Sequence, residues 1–225
     1  MLLVFDNIEL CSEEIVKEMT LEEKVWQMFF VRPEDILDNI SVAIRAGETT
    51  QKALEKYPVG GIIYFSQNIE TREQLVEMIK NTKNFCKITP FISVDEEGGR
   101  VSRLGSANIG VTLHPPMAEI GASHNSDNAK KVGETLAQEL LSLGFNMDFA
   151  PVADVITVDG NEDIGDRSFG TDPKLVADSD YVEVELWKYN PETFAIDGMV
   201  DIVSLAESLK DIEECVEILA KIISS

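Results

Sequence analysis

The stretch SVDEEGGRVSRL, residues 93–104, sets three consecutive carboxylates, Asp95, Glu96 and Glu97, ahead of two glycines and two arginines. It follows directly on the apolar run PFISV. Like charges at the end of a buried strand repel one another, so they must stay solvated or meet cations. In an extended segment Asp95 and Glu97 share one face and Glu96 takes the other. Two carboxylates on one face suit a glycosidase acid and nucleophile, a magnesium site, or a clamp on hydroxyl groups. Adjacent positions do not decide among these, and solvated loop acids that cap the next helix are the bland alternative. Gly98 and Gly99 favour a sharp bend with close backbone approach, as in a ligand loop or an ordinary turn. Arg100 and Arg103 are near enough in sequence to neutralise the acids. A second constellation lies in NEDIGDRSFG, residues 161–170, where Asp166 stands beside Arg167. That pattern fits either a side-chain clamp that a ligand completes or a local ion pair within a turn.

Residues of this kind need a frame, and the hydrophobic pattern supplies one. Thr20 and Glu23 form a T-x-x-E capping box, and Leu21, Val25, Met28 and Phe29 follow at helical spacing, which predicts a helix to about Phe30. VGGIIYF, residues 59–65, reads as a buried strand after Pro58. Thr71 and Gln74 open a second helix with Leu75, Met78 and Ile79 on one face. PFISV, residues 90–94, is the next buried strand. From about Asn128 to Leu143 the positions Ala129, Val132, Leu136, Leu140 and Leu141 keep helical period, with Gly144 placed to end the helix. NMDFAPVADV, residues 146–155, reads as a third strand. Continuous apolar strands alternating with helices predict an α/β fold whose parallel sheet is covered on both faces. The order alone does not separate an open sheet from a barrel. Either architecture binds ligands at the carboxyl ends of its strands. Asp95 to Glu97 follow the second strand, Asp154 closes the third, and Ser66, Gln67 and Asn68 follow the first.

Composition narrows the partners. The chain has 225 residues and a formal net charge of −22, which excludes electrostatic binding to nucleic acid or to an anionic membrane. A neutral ligand is expected instead. Cys11, Cys86 and Cys215 are odd in number and widely spaced, so they mark neither a disulfide framework nor a zinc site. The opening MLLVFDNIEL has no basic region before its apolar residues, and no segment approaches the ~18 apolar residues of a membrane span. The expected location is cytoplasmic.

The combination YPVGGIIYFSQNI, FISVDEEGGRVSRL, HPPMAEIGA, LGFNMDFAPVADV and IGDRSFGTDPKLVAD, in this order and spacing, resembles the N-terminal part of glycoside hydrolase family 3. The match is to the bacterial β-N-acetylhexosaminidase branch, across roughly residues 19 to 178. The insert PEDILDNISVAIRAGETTQKALEKY, residues 33–57, also resembles that of family members. The resemblance implies a TIM-type barrel and the retaining removal of terminal, non-reducing β-linked N-acetylglucosamine without metal or cofactor. It assigns Asp95 to the sugar hydroxyls and Arg103 and Arg167 to the same ring. A carboxylate accepts from two vicinal hydroxyls at once, which suits that role. Asp95 is then a binder and not the nucleophile.

The chain departs from the family pattern further on. The family places its acid/base on a loop with a KHFPGHG signature, and its nucleophilic Asp on a still later strand; neither is found here. The histidines present, His114 and His124, lie upstream of that loop's place. The expected organisation is an incomplete family 3 barrel domain over residues 1–178 with the first three strand-helix units, then residues 179–225 as an acidic strand plus an amphipathic helix of unknown origin. In that tail Val182, Val184 and Leu186 alternate with acids, and Ile212, Cys215, Val216, Leu219, Ile222 and Ile223 form an apolar stripe. A TIM-type barrel takes eight strand-helix units and typically ~250 residues, so unfinished barrel edges are expected to drive self-association. Two rival functions remain: a non-catalytic module that binds an N-acetylhexosamine saccharide, and a metal-dependent phosphotransfer site built on Asp95, Glu97 and Asp154.

Overall fold

The structure, a computed structural model, describes residues 15–38, 40–158 and 160–179. The strand and helix expected in the acidic tail therefore lie outside the described residues.

Helix α1 (Leu21–Trp26) starts at the expected capping box: the Thr20 hydroxyl accepts from Glu23 N–H, and the Glu23 carboxylate accepts from Thr20 N–H. It stops four residues short of the expected end. Phe30 and Val31 instead form β1 (Phe30–Val31), in parallel register with β2 (Gly61–Ile63). The turn from α1 into β1 is held from outside, because Gly60 N–H and Gly61 N–H donate to the carbonyls of Trp26 and Phe29. These bonds join residues more than thirty positions apart, so helical periodicity in the sequence does not reveal them. The insert supplies the turn Pro33–Ile36 and helix α2 (Glu48–Lys56), and it packs into the core through Ile36, Leu37, Ala43, Ala46 and Leu54.

Helix α3 (Arg72–Phe85) begins at the Thr71–Gln74 capping box and buries Leu75, Met78 and Ile79 as its pattern predicts. Strand β3 (Phe91–Val94) follows, then a hairpin of β4 (Glu96–Gly98) and β5 (Val101–Ser102). Short helices α4 (Arg103–Ser106) and α5 (Met117–Ala122) lead to the long α6 (Ser126–Leu143), which ends at Gly144 with a left-handed φ of 100°. Strand β6 (Met147–Asp148) and helix α7 (Pro173–Ser179) complete the order.

The main sheet is β1-β2-β3-β6, parallel throughout. The fold is thus the expected partial (β/α) barrel, with one strand more than the sequence pattern shows. Alternation along the strands divides its faces. Ile62, Tyr64, Ile92 and Val94 are fully buried in one core cluster with Leu75, Ile79, Leu140 and Leu143. The Tyr64 hydroxyl, 2.9 Å from Thr82 Oγ1, ties the end of β2 to α3 without leaving a polar group unpaired. A separate cluster of Phe30, Phe91 and Phe149 forms where Phe30 stacks on Phe91 at 5.8 Å and meets Phe149 edge-on at 5.4 Å. Gly61 makes room for it, since a Cβ there would sit 2.3 Å from the Phe30 ring.

Candidate functional site

The carboxyl ends of β3 and β6 carry the acids. Asp95 directly follows β3, and the hairpin that begins at Glu96 folds back over the strand end. Its turn uses Gly98 and Gly99 at φ of 84° and 54°. Pro116 closes against that turn so tightly that a Cβ on Gly99 would lie 2.8 Å from its Cα. Gly99 N–H donates to the His114 carbonyl at 2.9 Å, so the HPP loop buttresses the bend.

The three consecutive acids have three separate fates. Asp95 Oδ2 accepts from Arg103 Nη2 at 2.8 Å, and the Arg103 guanidinium lies over the Phe65 ring, 5.2 Å from its centroid. Glu96 turns to the opposite face, as extended alternation predicts, and is 2% exposed. There it takes the Ser102 hydroxyl and, at 2.9 Å, the Leu104 N–H. Burial pushes its pKa up, opposed by these donors and by the backbone of Arg103 and Gly105. Glu97, 5% exposed, is gripped by Arg167 through two parallel bonds, Nε to Oε2 at 2.8 Å and Nη2 to Oε1 at 2.7 Å.

The second constellation reaches the hairpin from the loop after β6. Arg167 sits in the turn Gly165–Arg167 and meets Glu97 seventy positions upstream, so the sequence-adjacent Asp166 is not its partner. Asp166 pairs instead with Arg100 Nε at 2.9 Å. Arg100 Nη2 also donates to the carbonyls of Glu162, Asp163 and Ile164 at 2.7, 2.8 and 3.1 Å. Arg100 therefore does not neutralise Asp95 to Glu97; it ties the hairpin to the 161–167 loop. From the other side, Phe169 carbonyl rests on α5 at Gly121, where a Cβ would be 1.8 Å from that oxygen.

Asp148 is the residue that sequence reasoning passes over. The strand closes at Asp148 rather than at Asp154, because β6 pairs with β3 only as far as Val94 and Asp148. Asp154 lies in the exposed loop beyond. Asp148 Oδ1 accepts the Glu96 N–H at 2.9 Å and so fixes the first residue of the hairpin. Burial, reinforced by the charges of Glu96, Asp95 and Glu97 and opposed by that hydrogen bond, pushes its pKa up to about 8. It is mostly protonated at neutral pH. Asp148, Glu96 and Glu97 share one wall of a cavity of about 100 Å³ whose other walls include Leu136, Leu140 and Phe169. An Asp in the otherwise apolar run MDFA, residues 147–150, is the signal the sequence offers for it.

The site brings Asp95, Arg103 and Arg167 to one end of the sheet. Asn68, from the group after β2, is fully buried and holds the insert by donating to Glu34 Oε1 at 2.6 Å and to the Ala43 carbonyl at 2.9 Å. Among the described residues no three His, Cys, Asp or Glu side chains are grouped as a metal site. Glu96 and Glu97 are committed to a hydroxyl, backbone N–H groups and an arginine, which leaves them poorly placed for a cation. Among the described helices, none is long and apolar enough to cross a membrane.

The profile of the Glycosyl hydrolase family 3 N terminal domain matches residues 20–184. A beta-hexosaminidase of Shewanella frigidimarina is 38% identical over 150 residues, which is 63% of this chain and 41% of the relative. The chain thus spans about two fifths of the length of that relative. A family 3 beta-N-acetylglucosaminidase from Paenibacillus superposes with a TM-score of 0.63 at 32% identity, over 72% of this chain and 29% of the other. NagZ from Neisseria gonorrhoeae, solved in complex with N-trifluoroacetyl-D-glucosamine, superposes with a TM-score of 0.56 at 31% identity, over 71% of this chain and 44% of the other.

Proposed function

The chain belongs to glycosyl hydrolase family 3 through the N-terminal domain matched across residues 20–184, and from that premise we propose that it forms the sugar-holding part of a β-N-acetylhexosaminidase site. Asp95, Arg103 and Arg167 hold a terminal N-acetylhexosamine ring. The observation that carries this reading is the Asp95–Arg103 pair at 2.8 Å, in which only one carboxylate oxygen is used by Arg103. Among the described residues no hydrogen bond reaches the other oxygen, which can accept from sugar hydroxyls, and the pair is about three-quarters shielded from water, where charge-assisted bonds are strongest.

Retaining hydrolysis of β-linked N-acetylhexosamine belongs, on this reading, to the whole family protein, and this chain by itself binds without turnover. Retaining chemistry needs an acid/base and a nucleophile on opposite sides of the bond. The positions of His114 and His124 support the second half of the reading. His114 supports the Gly99 turn through its carbonyl, and burial pulls its pKa down. His124 closes α5, its N–H donating to the Gly121 carbonyl. A cytoplasmic location is part of the same reading, supported by isolated cysteines in no pair spacing. So is self-association, supported by β1 and β6 as the outer strands of the described sheet and by Phe149 at 39% exposure.

The test pairs binding with turnover. The purified chain is expected to bind N-acetylglucosamine and to release no nitrophenol from a nitrophenyl β-N-acetylglucosaminide above a mock purification. Turnover would place catalytic groups in the chain and overturn the binding-only reading; absence of binding would overturn the clamp.

A further inference from the structure

Arg167 is the one member of the clamp that comes from a different segment, the 161–167 loop, and its own segment offers its guanidinium one contact, the Asp163 carbonyl at 3.2 Å, against two from Glu97. We propose that Glu97 is the positioning residue of the sugar clamp: it does not touch the sugar, but it fixes the plane and reach of the Arg167 guanidinium against the hairpin that bears Asp95 and Arg103. This rests on the clamp reading above and adds a residue to it.

The geometry sets the role. Both Glu97 oxygens are taken by Arg167, at 2.8 and 2.7 Å, and the side chain is 5% exposed, so the carboxylate is committed to the arginine. A guanidinium carries five N–H groups. Arg167 Nε gives its N–H to Glu97, Nη2 gives one to Glu97, and Nη1 gives one to the Asp163 carbonyl at 3.2 Å. Among the described residues one N–H on each terminal nitrogen remains, in directions fixed by the fork. Arg100 works on the same joint from the opposite side, with its three carbonyl contacts and Asp166 holding the loop that carries Arg167. The two arginines therefore cross between the hairpin and the loop, one in each direction. Glu97 is the more decisive strut, because Arg100 is about half exposed and Glu97 is not.

Glu97→Gln tests this with little change of volume. The amide offers one oxygen and one NH2, and the NH2 faces an arginine donor, so the two-point grip is lost. In wild type the Arg167 Nε–H should give a resolved, slowly exchanging NMR signal, and in Glu97→Gln that signal should broaden or vanish while the backbone amide pattern stays that of a folded chain, with a melting temperature lowered by the loss of one partner of a buried pair. N-acetylglucosamine affinity should fall about tenfold or more, the worth of one charge-assisted hydrogen bond. Arg167→Lys, which keeps the charge but cannot make a planar two-point contact, should fall by a similar factor. The double variant should bind no more weakly than Arg167→Lys alone, because both changes remove the same element. Affinity that is unchanged in Glu97→Gln, or losses that add in the double variant, overturns the positioning role. Those outcomes leave the clamp standing if Asp95→Ala still abolishes binding. A wild-type chain that binds no N-acetylglucosamine overturns both.

Discussion

Replacing Asp148 by Asn should make the protein more stable at neutral pH, although it removes a side chain from the heart of the site. The pKa of Asp148 rises from an ordinary 3.8 to about 8, first through burial and then through the nearby charges of Glu96, Asp95 and Glu97. Between those two values the folded chain keeps the proton and the unfolded chain loses it. The unfolded state then binds fewer protons, so stability falls as pH rises through this window and levels off above about 8. Each pH unit crossed inside the window costs ~1.4 kcal/mol, so the roughly three units crossed by pH 7 set a ceiling of ~4 kcal/mol. Asp148 keeps some contact with water, and relaxation there roughly halves this, to about 2 kcal/mol. The asparagine would keep the oxygen that accepts from Glu96 N–H and would have no proton to lose. Urea denaturation of wild type and Asp148→Asn at pH 4, 5.5, 7 and 8.5 measures the difference directly, since the contributions of groups not coupled to Asp148 cancel between the two. The gap should be near zero at pH 4 and grow to about 2 kcal/mol in favour of the variant at pH 7. A gap that does not change with pH, or a variant less stable at every pH, would refute the placement of a neutral carboxyl at the end of β6.

Two further outcomes follow from packing. Gly121→Ala puts a methyl group 1.8 Å from the Phe169 carbonyl, so it should destabilise the chain by about 2 kcal/mol and weaken N-acetylglucosamine binding by displacing the loop that carries Arg167; wild-type melting and affinity in this variant would contradict that account of the loop. Sedimentation velocity should show self-association of the wild-type chain, reduced in Phe149→Asp because the charge disrupts the exposed aromatic face. A wild-type chain that remains monomeric at all concentrations would contradict it.

Much of the frame is legible in local sequence because its determinants are local. The Thr20–Glu23 and Thr71–Gln74 boxes and the glycine after Leu143 use contacts within four residues, and the stripe of α6 repeats at helical spacing, although Leu141, expected in it, stands exposed. The acids after β3 are visible for the same reason, being a short run of one charge at the end of an apolar strand. Features decided across the chain are not visible in this way. Phe30 and Val31 continue a helical pattern on paper, yet Gly60 and Gly61 draw them into the sheet. Arg167 and Asp166 are neighbours in sequence and still pair with different segments, with Glu97 and Arg100 respectively. Asp148 looks like one polar position in a strand, and its significance appears only when Glu96 N–H is seen to donate to it. Asp154 has the more conspicuous place, just before a polar loop, and yet lies beyond the strand end. The site's residue types are readable; its wiring depends on partners fifty to seventy positions distant.

The central claim is that Asp95, Arg103 and Arg167 together hold an N-acetylhexosamine ring. The most direct measurement is an NMR titration of the full chain with N-acetylglucosamine that follows the side-chain Nε–H signals of Arg103 and Arg167. Both signals should shift together and saturate along one binding curve, and Asp95→Ala should abolish the response, since two or more charge-assisted bonds of ~1.5 to 3 kcal/mol each are removed. Arginine signals that stay still while sugar binds elsewhere, or a titration unchanged by Asp95→Ala, would contradict the claim.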